Sequence, residues 1–314
     1  MSKIAFIFPG QGSQAVGMGK QLFDEVEQSK HIFQAADDRL GLSLSRIIFE
    51  GPQDELTATY HAQPALLTTS MAILEKFKEA GITPDYVAGH SLGEYTALVA
   101  SGVLAFEDAV HAVHKRGLFM EEAVPTGEGA MAAVLGMEAD LLDDVTKTVT
   151  NEGNIVQLAN LNCPGQIVIS GSAEGVERAS VLAKEKGAKR VIPLVVSGPF
   201  HSELMKPAAG QLREVLDQLS LREAKVPVIS NVTAKPITDA QDIKEKLIEQ
   251  LYSPVRWEES VRVMIDSGVT TFIEIGPGKV LSGLVKKVDR KIKVLAVSDL
   301  ETIEAAAATL KEEK

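Results

Sequence analysis

The chain has 314 residues, of which 45% are hydrophobic and 24% are charged, and its formal net charge is −11. That length is enough for one large folded unit plus a smaller one, and the composition is typical of a globular protein rather than a disordered one. The negative charge argues against nucleic acid as a partner, because phosphate binding requires a surplus of Lys and Arg on one face.

The N-terminal part of the chain predicts strands that alternate with helices. Lys3 to Phe8 is an apolar run typical of a buried strand, and spaced apolar residues then favour a helix over residues 15–36. The next predicted elements are a helix over residues 63–80, a strand over residues 86–88 and helices over residues 92–100 and 106–122. Such alternation is typical of a parallel α/β sheet.

Between residues 127 and 197 the pattern changes. The predicted order is strand 130–135, helix 140–150, strands 155–161 and 166–170, helix 173–186 and strand 190–196. This β-α-β-β-α-β order indicates a ferredoxin-like unit. Strands at residues 226–231 and 270–275 and a C-terminal helix follow. We therefore expect a small domain at residues 127–197, inserted into a large domain made of residues 1–126 and 198–314.

Three features indicate a cytoplasmic protein. The single cysteine, Cys163, rules out an internal disulfide, and no Cys/His cluster suggests a metal site. The longest nearly apolar stretch, residues 97–106, is too short to cross a bilayer. The N-terminus lacks the apolar region and cleavage site of a signal peptide. We expect neither a membrane segment nor a bound metal.

A candidate nucleophile stands in the pentapeptide Gly89-His90-Ser91-Leu92-Gly93, which matches G-x-S-x-G. The bare pattern is common, but here a predicted strand precedes it and a predicted helix follows it. Such a sharp turn exposes the serine hydroxyl, and the helix N-terminus directs N–H groups at an oxygen that becomes negative during attack on a carbonyl. The alternative is an ordinary glycine-rich turn.

A nucleophilic serine needs a base, which is usually a histidine. The chain has six histidines, and five lie on predicted helices, before one, or inside the pentapeptide: His31, His61, His90, His111 and His114. We expect His90 to face away from a substrate that Ser91 faces. His201 differs, because it stands in an irregular segment directly before a helix. From the residues alone, both a catalytic and an ordinary loop histidine remain open at this position.

Five motifs then follow one another in a fixed order between residue 4 and about residue 300. They are Phe8-Pro9-Gly10-Gln11-Gly12-Ser13-Gln14, Gly89-His90-Ser91-Leu92-Gly93-Glu94-Tyr95, Arg116-Gly117 with Met120, Gly198-Pro199-Phe200-His201, and Gln250-Leu251 with Pro254-Val255 and Trp257. Together they resemble the malonyl-CoA:acyl carrier protein transacylase family. The resemblance implies a hydrolase-like α/β domain with a mostly parallel sheet and the ferredoxin-like insertion, with the acyl site between them.

The resemblance also implies individual roles. Ser91 is the nucleophile, His201 the general base and then acid, and Arg116 the partner of the malonyl carboxylate. A guanidinium suits that role, because it binds a planar carboxylate through two hydrogen bonds and stays charged. The other implied contributions are an oxyanion hole from the backbone N–H groups of Gln11 and Leu92, orientation of the histidine by the main-chain carbonyl of Gln250, and a pocket wall at Asn160. Phe200, a bulky residue before the histidine, fits unbranched malonyl, although some malonyl enzymes carry Ser there.

The implied reaction is ping-pong transfer of malonyl from coenzyme A to the phosphopantetheine thiol of acyl carrier protein, for fatty acid biosynthesis and without a metal or redox cofactor. A thioesterase or hydrolase is the nearest alternative, since water can attack the same acyl-serine. A dinucleotide-binding oxidoreductase is another, because residues 10–15 match G-x-G-x-x-A, although no second strand ending in an acidic residue follows. A non-catalytic binding protein is disfavoured by the presence of both Ser91 and His201.

The expected carrier protein is acidic, as this chain is, so docking requires local basic patches. Two runs qualify, Lys184 to Arg190 and Lys286 to Lys293. Either run by itself is also typical of an ordinary solvated face.

Overall fold

The computed structural model describes residues 2–125 and 127–312. Its strands are β1 Lys3–Phe8, β2 Tyr86–Gly89, β3 Gly129–Leu135, β4 Val156–Cys163, β5 Gln166–Ser172, β6 Arg190–Pro193, β7 Val228–Ile229, β8 Pro236–Ile237, β9 Val269–Ile275 and β10 Lys293–Val297. Its α-helices are α1 Lys20–Glu25, α2 Glu27–Leu40, α3 Leu44–Glu50, α4 Gln53–Thr57, α5 Thr59–Phe77, α6 Leu92–Ala100, α7 Phe106–Glu122, α8 Ala139–Asn151, α9 Ala173–Glu185, α10 Lys206–Asp217, α11 Ala240–Gln250, α12 Trp257–Asp266, α13 Val280–Val288 and α14 Leu300–Lys311. Short 3₁₀ helices lie at Lys78–Ala80 and Glu203–Met205.

The larger sheet has six strands in the order β10-β9-β1-β2-β7-β8, parallel except for the β7–β8 pair. Side chains alternate between its faces along β1. Phe6 and Phe8 belong to one hydrophobic core, whereas Ala5 and Ile7 belong to another that includes Trp257. Both faces are covered, which explains why β1 is a continuous apolar run.

The position of β1 and β2 determines where a site can form. Phe8 is paired with Gly89, so the two strands end level with each other. The segment after Phe8 and the turn containing Ser91 therefore emerge side by side at the carboxyl edge of the sheet. In open α/β sheets this edge is where ligands bind.

The smaller sheet is antiparallel, in the order β4-β5-β3-β6. Helices α8 and α9 cover one face and form a separate core with it. From the other face Met131, Ala159 and Val168 join the core of the large sheet together with Phe200. The predicted fold class, a mostly parallel α/β sheet with a β-α-β-β-α-β insertion, is confirmed. The expected domain boundaries remain a prediction, and the one at residue 126 lies outside the described residues.

Several predicted elements differ from those in the structure. The helix predicted over residues 15–36 begins only at Lys20, because Gly17 and Gly19 have φ of 91° and 72°, and it is divided at Val26, whose backbone is extended between α1 and α2. A Cβ on Gly19 would lie 2.8 Å from the Phe33 ring, so this turn is packed against α2. The strand predicted to extend to residue 196 ends at Pro193, and the strand predicted over residues 226–231 is only Val228–Ile229. The sequence patterns did not predict α3 or α4.

Candidate active site

Ser91 lies in a strained turn between β2 and α6. Its backbone φ is 50° and its ψ is −105°, a conformation that residues with side chains rarely adopt. The flanking glycines allow the turn to close. A Cβ on Gly89 would lie 1.8 Å from the backbone carbon of Gly93, and a Cβ on Gly93 would lie 2.1 Å from the Phe8 carbonyl oxygen. The pentapeptide thus holds the Ser91 hydroxyl at the edge of the sheet.

His201 is hydrogen-bonded to Ser91. Its Nε2 lies 2.8 Å from Ser91 Oγ, and its Nδ1 lies 2.8 Å from the main-chain carbonyl oxygen of Gln250. A carbonyl can only accept, so Nδ1 carries the hydrogen and Nε2 is free to accept the Ser91 proton. His201 itself has a φ of 58°, and its backbone N–H donates to the Leu251 carbonyl at 3.1 Å. The C-terminal end of α11 therefore holds both the imidazole and the backbone of His201.

Burial controls the charge of His201. Removal from water, reinforced by the positive charge of Arg116, lowers its pKa to about 3. The imidazole is therefore neutral throughout the physiological pH range. Only the neutral form can take a proton from a hydroxyl or thiol.

Arg116 is a buried cation that reaches the same hydroxyl. Only 1% of its surface is exposed. Its Nη1 donates to Gln63 Oε1 at 2.7 Å, and its Nη2 donates to Gln250 Oε1 at 2.9 Å and to Ser91 Oγ at 3.1 Å. Its Nε has no hydrogen-bond partner within the described part of the chain. A buried guanidinium held by neutral acceptors, with a donor to spare, is suited to bind an anion.

A second set of hydrogen bonds fixes the backbone beneath Ser91. The Ser91 N–H donates to Asn231 Oδ1 at 2.7 Å, and Asn231 Nδ2 donates to the Gly89 carbonyl at 2.7 Å. Gln250 Nε2 donates to the Ser91 carbonyl at 3.0 Å and to Glu94 Oε2 at 2.7 Å. Burial raises the pKa of Glu94 to about 7, against the lowering effects of Gln250, Asn231 and Arg116. The turn is therefore supported by residues far from it in sequence.

Sequence reasoning missed Gln63, Glu94 and Asn231. Glu94 lies within the quoted serine motif, and its burial is what gives it importance. Gln63 and Asn231 carried no local signal, because they contact the site only through the packing of α5 and of the segment after β7.

A cavity of about 320 Å³ opens above Ser91, between the edge of the large sheet and the small sheet. Its wall includes Gln11, Ser91, Met120, Asn160, Phe200 and His201. The backbone N–H groups of Gln11 and Leu92 have no acceptor among the described residues, and Leu92 begins α6. Two free donors beside a nucleophile, one in the loop after β1 and one at the N-terminus of α6, suit an oxygen that becomes negative.

The seven predicted site residues therefore occupy one region. Ser91, His201, Arg116 and Gln250 are connected by hydrogen bonds, Gln11 and Asn160 line the cavity, and Leu92 follows the nucleophile. His90 is part of the cavity wall, and its imidazole lies against Trp257, with ring centroids 5.7 Å apart. Its Nε2 lies 2.8 Å from Asn162 Oδ1 on β4, which ties the turn to the small sheet.

The structure also bears on the alternatives. The glycine-rich segment after β1 does not begin a helix, because α1 starts at Lys20, so the phosphate-binding geometry of a dinucleotide fold is missing from residues 10–15. Residues 2–125 and 127–312 contain no group of three or more His, Cys, Asp or Glu side chains that could hold a metal ion. Within the same residues, no helix has the length and apolar character needed to cross a membrane.

Comparisons with known proteins agree with this geometry. Residues 5–311 match the family model described as acyl transferase domain. A malonyl CoA-acyl carrier protein transacylase of Bacillus subtilis (strain 168) is 71% identical over 313 residues, covering 100% of this chain and 99% of the relative. The crystal structure of an acyl carrier protein S-malonyltransferase from Vibrio cholerae O1 biovar eltor is similar with a TM-score of 0.95 and 46% identity, over 97% of this chain and 100% of that one. A malonyl-transacylase in complex with its type II polyketide synthase acyl-carrier protein has a TM-score of 0.95 and 43% identity, over 98% of this chain and 100% of that one.

Proposed function

This chain belongs to the acyl transferase domain family, and on that premise we propose that it transfers malonyl from malonyl-CoA to the phosphopantetheine thiol of acyl carrier protein, supplying fatty acid biosynthesis. The supporting observation is that one oxygen, Ser91 Oγ, is within hydrogen-bond reach of both His201 Nε2 and Arg116 Nη2. A nucleophile, a neutral base and a buried cation thus meet at one atom. This arrangement suits an acyl group that carries its own carboxylate.

The first half-reaction forms a malonyl-serine. Ser91 Oγ attacks the thioester carbonyl while its proton passes to His201 Nε2. The Gln250 carbonyl stabilises the imidazolium that forms, because it accepts the hydrogen bond from Nδ1 at 2.8 Å. The negative oxygen of the tetrahedral intermediate accepts hydrogen bonds from the N–H groups of Gln11 and Leu92. When the carbon–sulfur bond breaks, coenzyme A leaves with the proton from the imidazolium.

The second half-reaction reverses these steps with another thiol. His201 takes the proton of the phosphopantetheine thiol, and the sulfur attacks the malonyl-serine carbonyl. The bond to Ser91 Oγ breaks, and the proton returns to that oxygen from His201. Arg116 holds the malonyl carboxylate in both halves, because its guanidinium is buried and bears a free Nε donor.

The proposal places the reaction in the cytoplasm. A single unpaired cysteine, Cys163, is buried in the structure and fits a reducing compartment.

Hydrolysis remains the competing outcome of the same acyl-serine, since water and the carrier thiol attack the same carbonyl.

Intact-mass measurement after mixing with malonyl-CoA tests the proposal. The wild-type protein should gain one malonyl group, and Ser91→Ala should gain none. Ser13→Ala is a matched control, because Ser13 follows β1 in the neighbouring loop and should leave acylation unchanged. Adding the carrier protein should discharge the malonyl group onto its thiol. Release of free malonate at the same rate with and without carrier protein would instead support a hydrolase.

A further inference from the structure

Glu94 is a buried carboxylate beside the acyl site, and no step of the transfer described above uses it. It lies in the first turn of α6, and only 2% of its surface is exposed. A carboxylate is rarely buried this deeply without a partner, because removing a charge from water is costly. Its surroundings therefore decide what it does.

The Gln250 side chain connects Glu94 to Arg116. Gln250 Oε1 accepts from Arg116 Nη2 at 2.9 Å, and Gln250 Nε2 donates to Glu94 Oε2 at 2.7 Å. The Asn231 backbone N–H donates to the same Glu94 oxygen at 3.2 Å. Arg116 is thus linked to the Glu94 carboxyl group through one amide.

Binding of a malonyl group adds a second negative charge to this arrangement. Arg116 Nη2 lies 3.1 Å from Ser91 Oγ, so an acyl group attached to that oxygen brings its carboxylate to the guanidinium. One cation then faces two carboxylates in a buried region. Two like charges at short range disfavour ionisation of both carboxylates. When one of the two is protonated, the other neutralises the charge of Arg116.

We propose that Glu94 is a positioning residue that sets the preference for an anionic acyl group by taking up a proton when malonyl occupies the site. The inference rests on the proposed function and extends it, because it names a residue that controls how strongly Arg116 attracts the substrate. Glu94 acts through Gln250, because Glu94 does not line the cavity above Ser91.

The charge state of Glu94 supports this role. Its pKa of about 7 means that both forms are accessible near neutral pH. Three other ionisable side chains face the network, Tyr95, His201 and His90. Burial raises the pKa of Tyr95 and lowers those of His201 and His90. These shifts keep all three neutral where Glu94 titrates, while Arg116 stays charged.

The sign of the pH effect follows from these charges. Below the pKa of Glu94, its carboxyl is neutral and Arg116 is available to the malonyl carboxylate; above that pKa, ionised Glu94 competes for the guanidinium. An acetyl group has no charge and does not experience this competition. The ratio of kcat/KM for malonyl-CoA to that for acetyl-CoA should therefore fall as pH rises from about 6 to 8.5. The fall is about tenfold for each unit by which bound malonyl raises the pKa of Glu94. Effects of pH on the coenzyme A portion and on His201 cancel in this ratio.

The experiment compares wild type, Glu94→Gln and a control, Glu274→Gln, by rapid quench and intact mass with both thioesters. Glutamine keeps an oxygen for the Gln250 amide but cannot ionise, so in Glu94→Gln the ratio should stay at its low-pH value across the range. Glu274 is also fully buried with a pKa raised by burial, but its partners are Leu281 and Ser282 in α13. Its variant should keep the wild-type pH profile.

A wild-type ratio that does not change with pH would overturn the inference, as would a fall that persists in Glu94→Gln. If Glu94→Gln does not fold, the wild-type profile alone decides between a fall and a constant ratio. Failure of the wild-type protein to form malonyl-serine at any pH would refute the proposed function itself. A wild type that is malonylated with a pH-independent ratio would overturn only the role of Glu94.

Discussion

Replacing Arg116 with alanine is the sharpest test of why this site would prefer malonyl. The substitution removes the hydrogen bonds to Gln63, Gln250 and Ser91, and it removes the positive charge within reach of the nucleophile. The charge of an incoming malonyl group would then have no partner. Because Arg116 is 99% buried, water offers little compensation.

The expected loss follows from that burial. Leaving a buried charge without its partner costs about 3 to 5 kcal/mol, which corresponds to roughly 10² to 10⁴ in kcat/KM for malonyl-CoA. Acetyl-CoA carries no such charge, so its transfer should change little or increase. A neutral acyl group in the wild-type pocket leaves the buried guanidinium without an anionic partner, which is itself unfavourable. Arg116→Lys should recover only part of the loss, because an ammonium lacks the planar pair of donors that matches both carboxylate oxygens.

The assay measures acyl-enzyme formation from malonyl-CoA and acetyl-CoA on the same preparation of each variant. Circular dichroism and thermal unfolding establish that the variants are folded, since Gln63 and Gln250 each lose a donor. Equal losses for the two thioesters would refute the reasoning. Arg116 would then support the fold or the coenzyme A portion rather than the malonyl carboxylate.

Three further outcomes are expected. His201→Ala should slow acylation of Ser91 by roughly 10² to 10⁴, as for loss of a general base, and a smaller effect in single-turnover kinetics would contradict that role. Because the pKa of His201 is lowered to about 3, the rate of acylation by a neutral short-chain acetyl thioester should stay constant from about pH 5 to 8. A rate that decreases as the pH is lowered through the ordinary histidine pKa of about 6.5 would instead indicate an exposed imidazole. Reversing Lys286 and Lys287 to Glu should raise KM for carrier protein and weaken its salt dependence without changing acylation by malonyl-CoA, and unchanged carrier kinetics would reject this docking patch. Lys287→Glu alone should disturb the backbone less than the double variant. Lys286 donates to the main-chain carbonyls of Arg290 and Ile292, whereas Lys287 donates to the side chain of Gln166.

Local sequence was sufficient for the elements whose signals are local. The predicted bounds are correct for the strand Lys3–Phe8 and for the helices Leu92–Ala100 and Phe106–Glu122. In each case the apolar pattern lies within the element, and the glycine or polar residues that limit it are its neighbours in sequence. The order of the small domain was predictable for the same reason. Where a prediction was wrong, as for the helix over residues 15–36, the positive φ of Gly17 and Gly19 delays the helix and the extended backbone of Val26 divides it.

The chemistry of the site depended on tertiary structure. The sequence by itself placed Ser91 in a strand-to-helix turn, and its motifs named His201, Arg116 and Gln250 as partners. Only folding brought them together, since His201 is 110 residues from Ser91 and Gln250 is 159. Side-chain hydrogen bonds over such separations produce no periodic pattern of residues in the sequence, because they depend on how whole helices and sheets pack. The same packing decides charge: exclusion of water keeps His201 neutral and raises the pKa of Glu94 to about 7, and neither shift is a property of the residue or of its neighbours in sequence.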